Sequence, residues 1–291
     1  MTMIKKNKTN FALRIISLLL LFSTFGALQL SAQSYNISTY NIFYYTPSEH
    51  ANSWDARKDH VAGIIRFHNI VLWGSQEGEY NQLQDLRKML GQEYIGVARD
   101  DGDKEGEHSA IFYDPDLFRV LEHDTFWLSK TPDRPSMDWG VNFHRICTWG
   151  KFEVIETGDI IYVYNVHFDH QSQEARENSS RMVLEHVDEH TEAGDKIIIM
   201  GDLNAVPDNR SYKMINEDDR FWDAYDVTQT PPHGPEGTFN GFSFTRVPDR
   251  RIDHIFLTEQ FNVKRFGILT DSFSGLRYPS DHFPVVAEIE F

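Results

Sequence analysis

The sequence predicts an α/β protein built on mixed sheets. Apolar runs of β type recur along the chain, and several are continuous rather than alternating, as in strands covered on both faces. Segments of helical periodicity lie between them. No linker rich in Pro, Gly or Ser, no low-complexity tract and no repeat interrupts the pattern, so residues 33–291 read as one domain.

In chain order, Tyr35–Asn41 is the first strand, followed by a helical pattern over Arg57–His68 and a continuous apolar strand over Ile70–Ser75. Tyr80–Leu90 is helical by its period. Asp100–Glu107 is polar and Gly-containing and reads as a surface loop before the strand Ser109–Tyr113. Ile146–Ile155 and Ile160–Phe168 form two further strands. The clearest helix is Glu174–Glu192, where Met182, Val183, His186 and Val187 share one side and charges occupy the rest. Lys196–Met200, Ile252–Leu257 and Val285–Ile289 are strands, and Thr228–Val247, rich in Gly and Pro, is a long loop of the kind that often carries function.

Residues 1–32 read as an export signal. Lys5, Lys6, Lys8 and Arg14 precede an apolar run from Ile15 to Leu30, and Ser31-Ala32-Gln33 offers small residues for cleavage. Ser17, Ser23, Thr24 and Gln29 dilute that run, which argues against a membrane anchor. Cleavage leaves 259 residues in the periplasm or outside the cell and moves the formal charge from −16 to −20. So acidic a body does not attract polyanions non-specifically, which argues against a protein that coats nucleic acid. Cys147 is the single cysteine, so there is no internal disulfide and the fold rests on its apolar core. A monomer is expected.

Polar residues stand at the ends of the strand runs. Asn41 ends Ser-Thr-Tyr-Asn, and Glu77 follows Trp-Gly-Ser-Gln. His167 closes Val-Tyr-Asn-Val-His. Asp202 and Asn204 follow Ile-Ile-Ile-Met-Gly, Asp253 lies in Arg-Ile-Asp-His-Ile-Phe, and Asp281-His282 precedes Phe-Pro-Val-Val. In α/β proteins residues at strand ends converge on a crevice, so carboxylates, amides and imidazoles would meet there.

Taken together, Asn41, Gln76-Glu77, Asn165-Val166-His167, Gly201-Asp202-Leu203-Asn204, Arg251-Ile252-Asp253 and Ser280-Asp281-His282-Phe283-Pro284 resemble the endonuclease/exonuclease/phosphatase superfamily. That group includes deoxyribonuclease I, abasic-site endonucleases, inositol polyphosphate phosphatases, neutral sphingomyelinases and deadenylases. The motifs span nearly the whole chain after residue 32, in the family's order. The resemblance implies a four-layer α/β sandwich, with two mixed sheets packed face to face and helices outside. It further implies a Mg²⁺-dependent phosphoesterase, with Mn²⁺ as a substitute ion. Glu77 and Asn41 match the metal-holding residues, with Asp281 supporting the metal or the neighbouring imidazole. His282 oriented by Asp253 matches the His–carboxylate pair. Asp202 and Asn204 match the residues that place water and phosphate oxygens, and His167 a second phosphate-contacting imidazole. Asp202 and His282 both stand as candidates for the general base. Phe43 occupies a position that is acidic in abasic endonucleases, which argues against a second metal there.

Lesser candidates are weighed on the same terms. Arg145 and Arg176 carry planar forks suited to substrate phosphate, although Arg176 also suits a solvated helix face. Tyr113 is taken as a substrate contact, against the usual core role of a strand tyrosine. Glu105, Glu107 and His108 read as solvated loop charge, His186 and His190 as surface histidines, and Cys147 as inert core. Trp127, Trp139, Phe143 and Trp149 read as packing rather than as a platform. Two function classes remain: a hydrolase of phosphate esters, small-molecule, sugar or lipid before nucleic acid, and a binding module that keeps the fold without the chemistry. The complete residue set favours the enzyme.

Overall fold

The computed structural model describes residues 33–48, 51–275 and 277–291, so the leader read from residues 1–32 lies outside the described part. The apolar runs assemble into two six-stranded sheets. The first contains β1 (Ser34–Asn41), β2 (Ile70–Gln76), β4 (Glu93–Ile95), β6 (Ile111–Tyr113), β13 (Asn262–Ile268) and β14 (Val285–Glu290), in the order β13-β14-β1-β2-β6-β4. The second contains β7 (Phe118–Trp127), β8 (Ile146–Val154), β9 (Ile160–His167), β10 (Lys196–Asp202), β11 (Trp222–Asp223) and β12 (Asp253–Leu257), in the order β11-β12-β10-β9-β8-β7. A short ribbon pairs β3 (Gly78–Glu79) with β5 (Glu107–His108). Each large sheet has one parallel pair, β1/β2 and β9/β10, flanked by antiparallel neighbours.

Alternation along the strands divides the apolar side chains among three cores. Ile37, Leu72, Ile198, Met200 and Ile255 point between the sheets and form the central core. From the first sheet, Tyr40, Trp73 and Phe112 point outward against α1 (Trp54–Phe67) and α2 (Tyr80–Leu90). From the second, Tyr164, Ile197 and Ile199 point outward against α3 (Gln173–His190) and α4 (Arg210–Asn216). The result is the four-layer sandwich expected from the sequence. Ser34–Phe291 forms one compact unit, and no helix among the described residues is long and apolar enough to cross a membrane.

Local chemistry sets the helix ends. Gln82 Oε1 accepts from the Glu79 N–H at 3.0 Å at the start of α2, and Gly91 in the left-handed region ends it. The Ser172 hydroxyl accepts from the Ala175 N–H at the start of α3. In α1 Arg57 is fully buried: it donates to the carbonyls of Ile42 and Pro279 at 2.7 Å each and pins the loops leaving β1 and entering β14.

A buried amide joins the two sheets. Asn165 of β9 accepts from Gln76 Nε2 at 2.7 Å and donates to the carbonyls of Ser75 and Ala110. Gly74 makes room for it: a Cβ there would stand 2.4 Å from Asn165 Oδ1. Gly74→Ala is therefore expected to destabilise the fold by about 1–3 kcal/mol, as overpacking of a filled core does. The midpoint of urea unfolding reads this directly, and an unchanged midpoint would mean that the seam can open at no cost.

Candidate active site

Strand register brings the polar strand ends into one row. Asn41 is aligned with Gln76 across β1/β2, and Asp202 is flanked by His167 on β9 and Asp253 on β12. Asp281 and His282 arrive on the segment before β14, where His282 bridges to Phe239. The row thus crosses from one sheet to the other. Asn41 Nδ2 links the halves, donating to Glu77 Oε1 at 3.0 Å and to Asp202 Oδ2 at 3.1 Å.

The turns after the strands are tight. Glu77 and Asn204 both take left-handed backbone, with φ of 63° and 48°. Asp202 Oδ1 accepts from the Asn204 N–H at 2.8 Å, and the Asn204 side chain donates to the Phe168 carbonyl at 3.0 Å. Gly201 is required just before Asp202, because a Cβ there would fall 2.1 Å from the Val166 carbonyl.

Proton affinities in this row diverge. His282 Nδ1 is 2.9 Å from Asp253 Oδ2, and its Nε2 is 3.8 Å from Asp202 Oδ2. Burial opposes the imidazolium, yet Asp253 and Asp202 outweigh it and hold the pKa well above the ordinary value. His167 goes the other way: burial, then Arg145 and Arg99, push it well below, so its ring is neutral. Burial and the charge of Asp253 raise Asp202 to about 7. The Asp281 carboxyl is raised to about 6 by burial and by Glu77, against the pull of His282 and Arg57.

Two groups of potential metal ligands stand here. Ligand atoms of Asp202, Asp253 and His282 lie within 4.8 Å of one another. In that group the His282 proton already serves as the cation between two carboxylates. Glu77 and Asp281, with Asn41 beside them, are an all-oxygen set in which Glu77 helps raise the proton affinity of Asp281, the chemistry of a hard divalent ion. Asn41 would present Oδ1 to such an ion only after its amide turns, since Oδ1 now accepts from the Phe43 N–H at 3.1 Å.

Thus Asn41, Glu77, His167, Asp202, Asn204, Asp253, Asp281 and His282 are brought together. Arg145 lies at the margin, buried, with Nε 3.4 Å from Asp169 Oδ2 and Nη2 3.0 Å from His170 Nδ1. Tyr113 is not at the site. It stands opposite Leu72, near the start of β2, and packs on Phe152, while the site gathers at the other end of that strand. Arg176 is also displaced: it donates to the Asp169 carbonyl and to Gln173 Oε1, bracing the start of α3. His186 is stacked with His190 and packed on Phe126, half-buried rather than at the surface. Trp127 and Trp149 are core, whereas Phe143 is exposed.

Sequence reasoning missed Glu107. It is no solvated loop charge: it begins β5, with Oε2 2.6 Å from Arg99 Nη1 and 3.9 Å from His167 Nδ1. Burial and the charge of Glu77 raise its carboxyl to about 7. It lies two residues before the apolar run Ser109–Tyr113, in a charged stretch whose sequence does not set it apart from the loop. A buried network behind the site was missed as well. Asp223 accepts from Arg251 and from Tyr212 Oη, and faces His254, whose Nε2 donates to the Ala205 carbonyl at 2.9 Å. This fixes the turn that follows Asp202.

Asp223 is fully buried, and although burial raises its pKa, His254 and Arg251 together bring it down to about 2. A folded pKa below the unfolded one stabilises the native state at pH above the unfolded carboxylate value, and that contribution is lost as pH falls towards about 2. Asp223→Asn is therefore expected to cost about 3–5 kcal/mol at neutral pH, as removal of one partner of a buried pair does. The variant should also lose part of the acid dependence of unfolding. Denaturant titrations at pH values spanning this range test both statements.

Residues 34–282 match the Endonuclease/Exonuclease/phosphatase family. Two solved structures from Bacteroides thetaiotaomicron are each 37% identical with a TM-score of 0.85. One, an endonuclease/exonuclease/phosphatase family protein, is matched over 98% of its chain and 89% of this one. The other, a mannosyl-6-phosphatase, is matched over 100% of its chain and 88% of this one. The catalytic domain of human Nocturnin, 19% identical with a TM-score of 0.71 over 89% of this chain and 94% of its own, shares the fold.

Proposed function

The chain belongs to the endonuclease/exonuclease/phosphatase family, and on that premise we propose that it is a Mg²⁺-dependent hydrolase of a small phosphorylated molecule, a sugar phosphate before a nucleic acid. Members of this family are hydrolases of phosphoester bonds. The observation that carries the reading is the Asp253–His282–Asp202 row, in which His282 and Asp202 are both held above their ordinary pKa values, beside the oxygen set of Glu77, Asp281 and Asn41.

In this reading His282, kept protonated and oriented by Asp253, gives a hydrogen bond and a positive charge to the phosphoryl oxygens. Asp202, raised to about 7, takes the proton from the attacking water. The Asn204 N–H and Asn41 Nδ2 hold its two oxygens in place. Neutral His167 offers a second hydrogen bond to the phosphate. Water attacks phosphorus in line, and the bond from phosphorus to the leaving oxygen breaks. Glu77, Asp281 and Asn41 would hold the divalent ion, which supplies charge neutralisation at the phosphate oxygens when bound.

The preference for a small substrate rests on three points. The formal charge is −16, and no basic track is needed for one phosphate. Phe43, Tyr44 and Phe242 form an aromatic rim beside Glu77, with ring centroids 4.2 and 5.0 Å apart, suited to the face of a sugar. The mannosyl-6-phosphatase is 37% identical. Export is part of the reading and rests on the sequence of residues 1–32 alone.

The test is turnover of a panel of sugar phosphates, a phospholipid headgroup, DNA and RNA by the protein lacking residues 1–32, with Mg²⁺, with Mn²⁺ and with chelator. Metal-dependent release of phosphate from a sugar phosphate is expected. A preference for DNA or RNA would replace the substrate, and Mg²⁺-independent turnover would remove the metal from the scheme.

A further inference from the structure

His167 divides the site in two. Its Nε2 is 3.6 Å from Asp202 Oδ2, whereas its Nδ1 is 3.9 Å from Glu107 Oε2. On the Glu107 side lies a cavity of about 10 Å³, lined by Arg99, Glu107, His144, Arg145 and His167 among others. A void of that size accommodates one water or one oxygen atom.

Two arginines line the cavity, and one of them keeps a buried donor without a hydrogen bond. Arg99 and Arg145 are 8% and 5% exposed. Arg99 Nη1 donates to Glu107, but its buried Nε makes no hydrogen bond, with Asp100 Oδ1 3.8 Å away. Arg145, which also lines the cavity, uses Nε on Asp169 and Nη2 on His170. Buried polar groups are normally satisfied, so a buried donor without a hydrogen bond beside a reaction centre points to a ligand atom that fills it. Burial, and then the same two guanidinium groups, keep His167 neutral, which leaves the positive field of this corner on the arginines.

We propose that this cavity is a subsite for one non-bridging oxygen of a phosphate dianion, read by Arg99 and Arg145, and that it makes the chain a phosphomonoesterase. The proposal rests on the phosphoesterase reading and names the substrate class within it. A monoester carries three non-bridging oxygens and two negative charges, so one oxygen can enter the cavity while the others face His282 and Asn41. In a diester the third position bears a carbon substituent, for which about 10 Å³ leaves no room, and one charge is gone. Glu107 holds Arg99 in place through Nη1 and leaves its Nε without a hydrogen bond, available to the ligand.

Calorimetric titration of the folded protein in Mg²⁺ tests this, with inorganic phosphate and dimethyl phosphate as probes. Wild type, Arg99→Gln and Arg145→Gln are compared, with the lysine substitutions standing in should a glutamine variant fail to fold. Wild type is expected to bind phosphate at least about tenfold more tightly than dimethyl phosphate, and each substitution to weaken phosphate by about tenfold or more, the size of a lost charge-assisted hydrogen bond. Equal affinity for the two probes, no phosphate binding, or variants that bind phosphate as wild type does would each overturn the subsite. Turnover of 4-nitrophenyl phosphate against its bis ester separates the two levels. No metal-dependent turnover, with arginine-dependent phosphate binding intact, rejects the parent reading and keeps the subsite. Turnover without preference for the monoester rejects the subsite alone.

Discussion

His282→Ala is expected to lower kcat/KM by about 10²–10⁴-fold, the range for loss of a positioned acid–base group. The effect should fall on kcat more than on KM, because the charge of His282 matters most where the phosphoryl oxygens gain charge. Asp253→Asn provides the graded companion. It leaves the imidazole but removes the leading carboxylate that raises the His282 pKa against burial. The ring then gives up its proton at lower pH, so the alkaline limb of the pH–rate profile should move towards acid. A profile that stays in place would mean that Asp253 only holds the ring and does not set its charge. Full activity in His282→Ala would remove the proposed chemistry from this row altogether.

Glu77→Gln is the second large effect, with an expected loss of about 10²–10³-fold in kcat/KM, the equivalent of several kcal/mol of charge stabilisation. A structural cause could mimic this, so the deciding readout is thermal stability against Mg²⁺ concentration. A ligand that binds only the native state raises the melting temperature. Wild type should show that rise and Glu77→Gln should not, while their melting temperatures in chelator stay close. The substitution is mild for the fold because glutamine keeps the shape, and the left-handed backbone at Glu77 is common to both proteins. A variant that still responds to Mg²⁺ like wild type would move the metal to the Asp202, Asp253 and His282 group.

Much of this was legible in the sequence because burial on both faces leaves a plain mark. Ile197, Ile198 and Ile199 serve two different cores in turn, and a continuous apolar run is the only way to write that. The strand β7 was not legible. It pairs with β8 along its length, yet Leu121, Glu122, His123 and Asp124 are exposed at the sheet edge, so neither an apolar run nor alternation appears. β13 and the short α4 were missed because seven residues, polar or mixed, give too little period to read. Within the site, Asn41, Glu77 and Asp202 could be picked out because they end apolar strands. Glu107 could not be separated from the charged loop before it, since burial there comes from the fold around it and not from its neighbours in sequence. Tyr113 failed for the opposite reason: the right strand was chosen, but the strand meets the site at its other end.

The polar row draws Asn41 and Glu77 from one sheet and His167, Asp202 and Asp253 from the other, with Asn165 joining the two beneath. Strand content and chemistry are therefore separable quantities in this protein. A molten-globule state that keeps its strands but lets the sheets slide apart would still show its far-UV circular dichroism, yet it would hold half a site on each side and no reaction centre. Catalysis in such an architecture reports the docking of two layers rather than the folding of either.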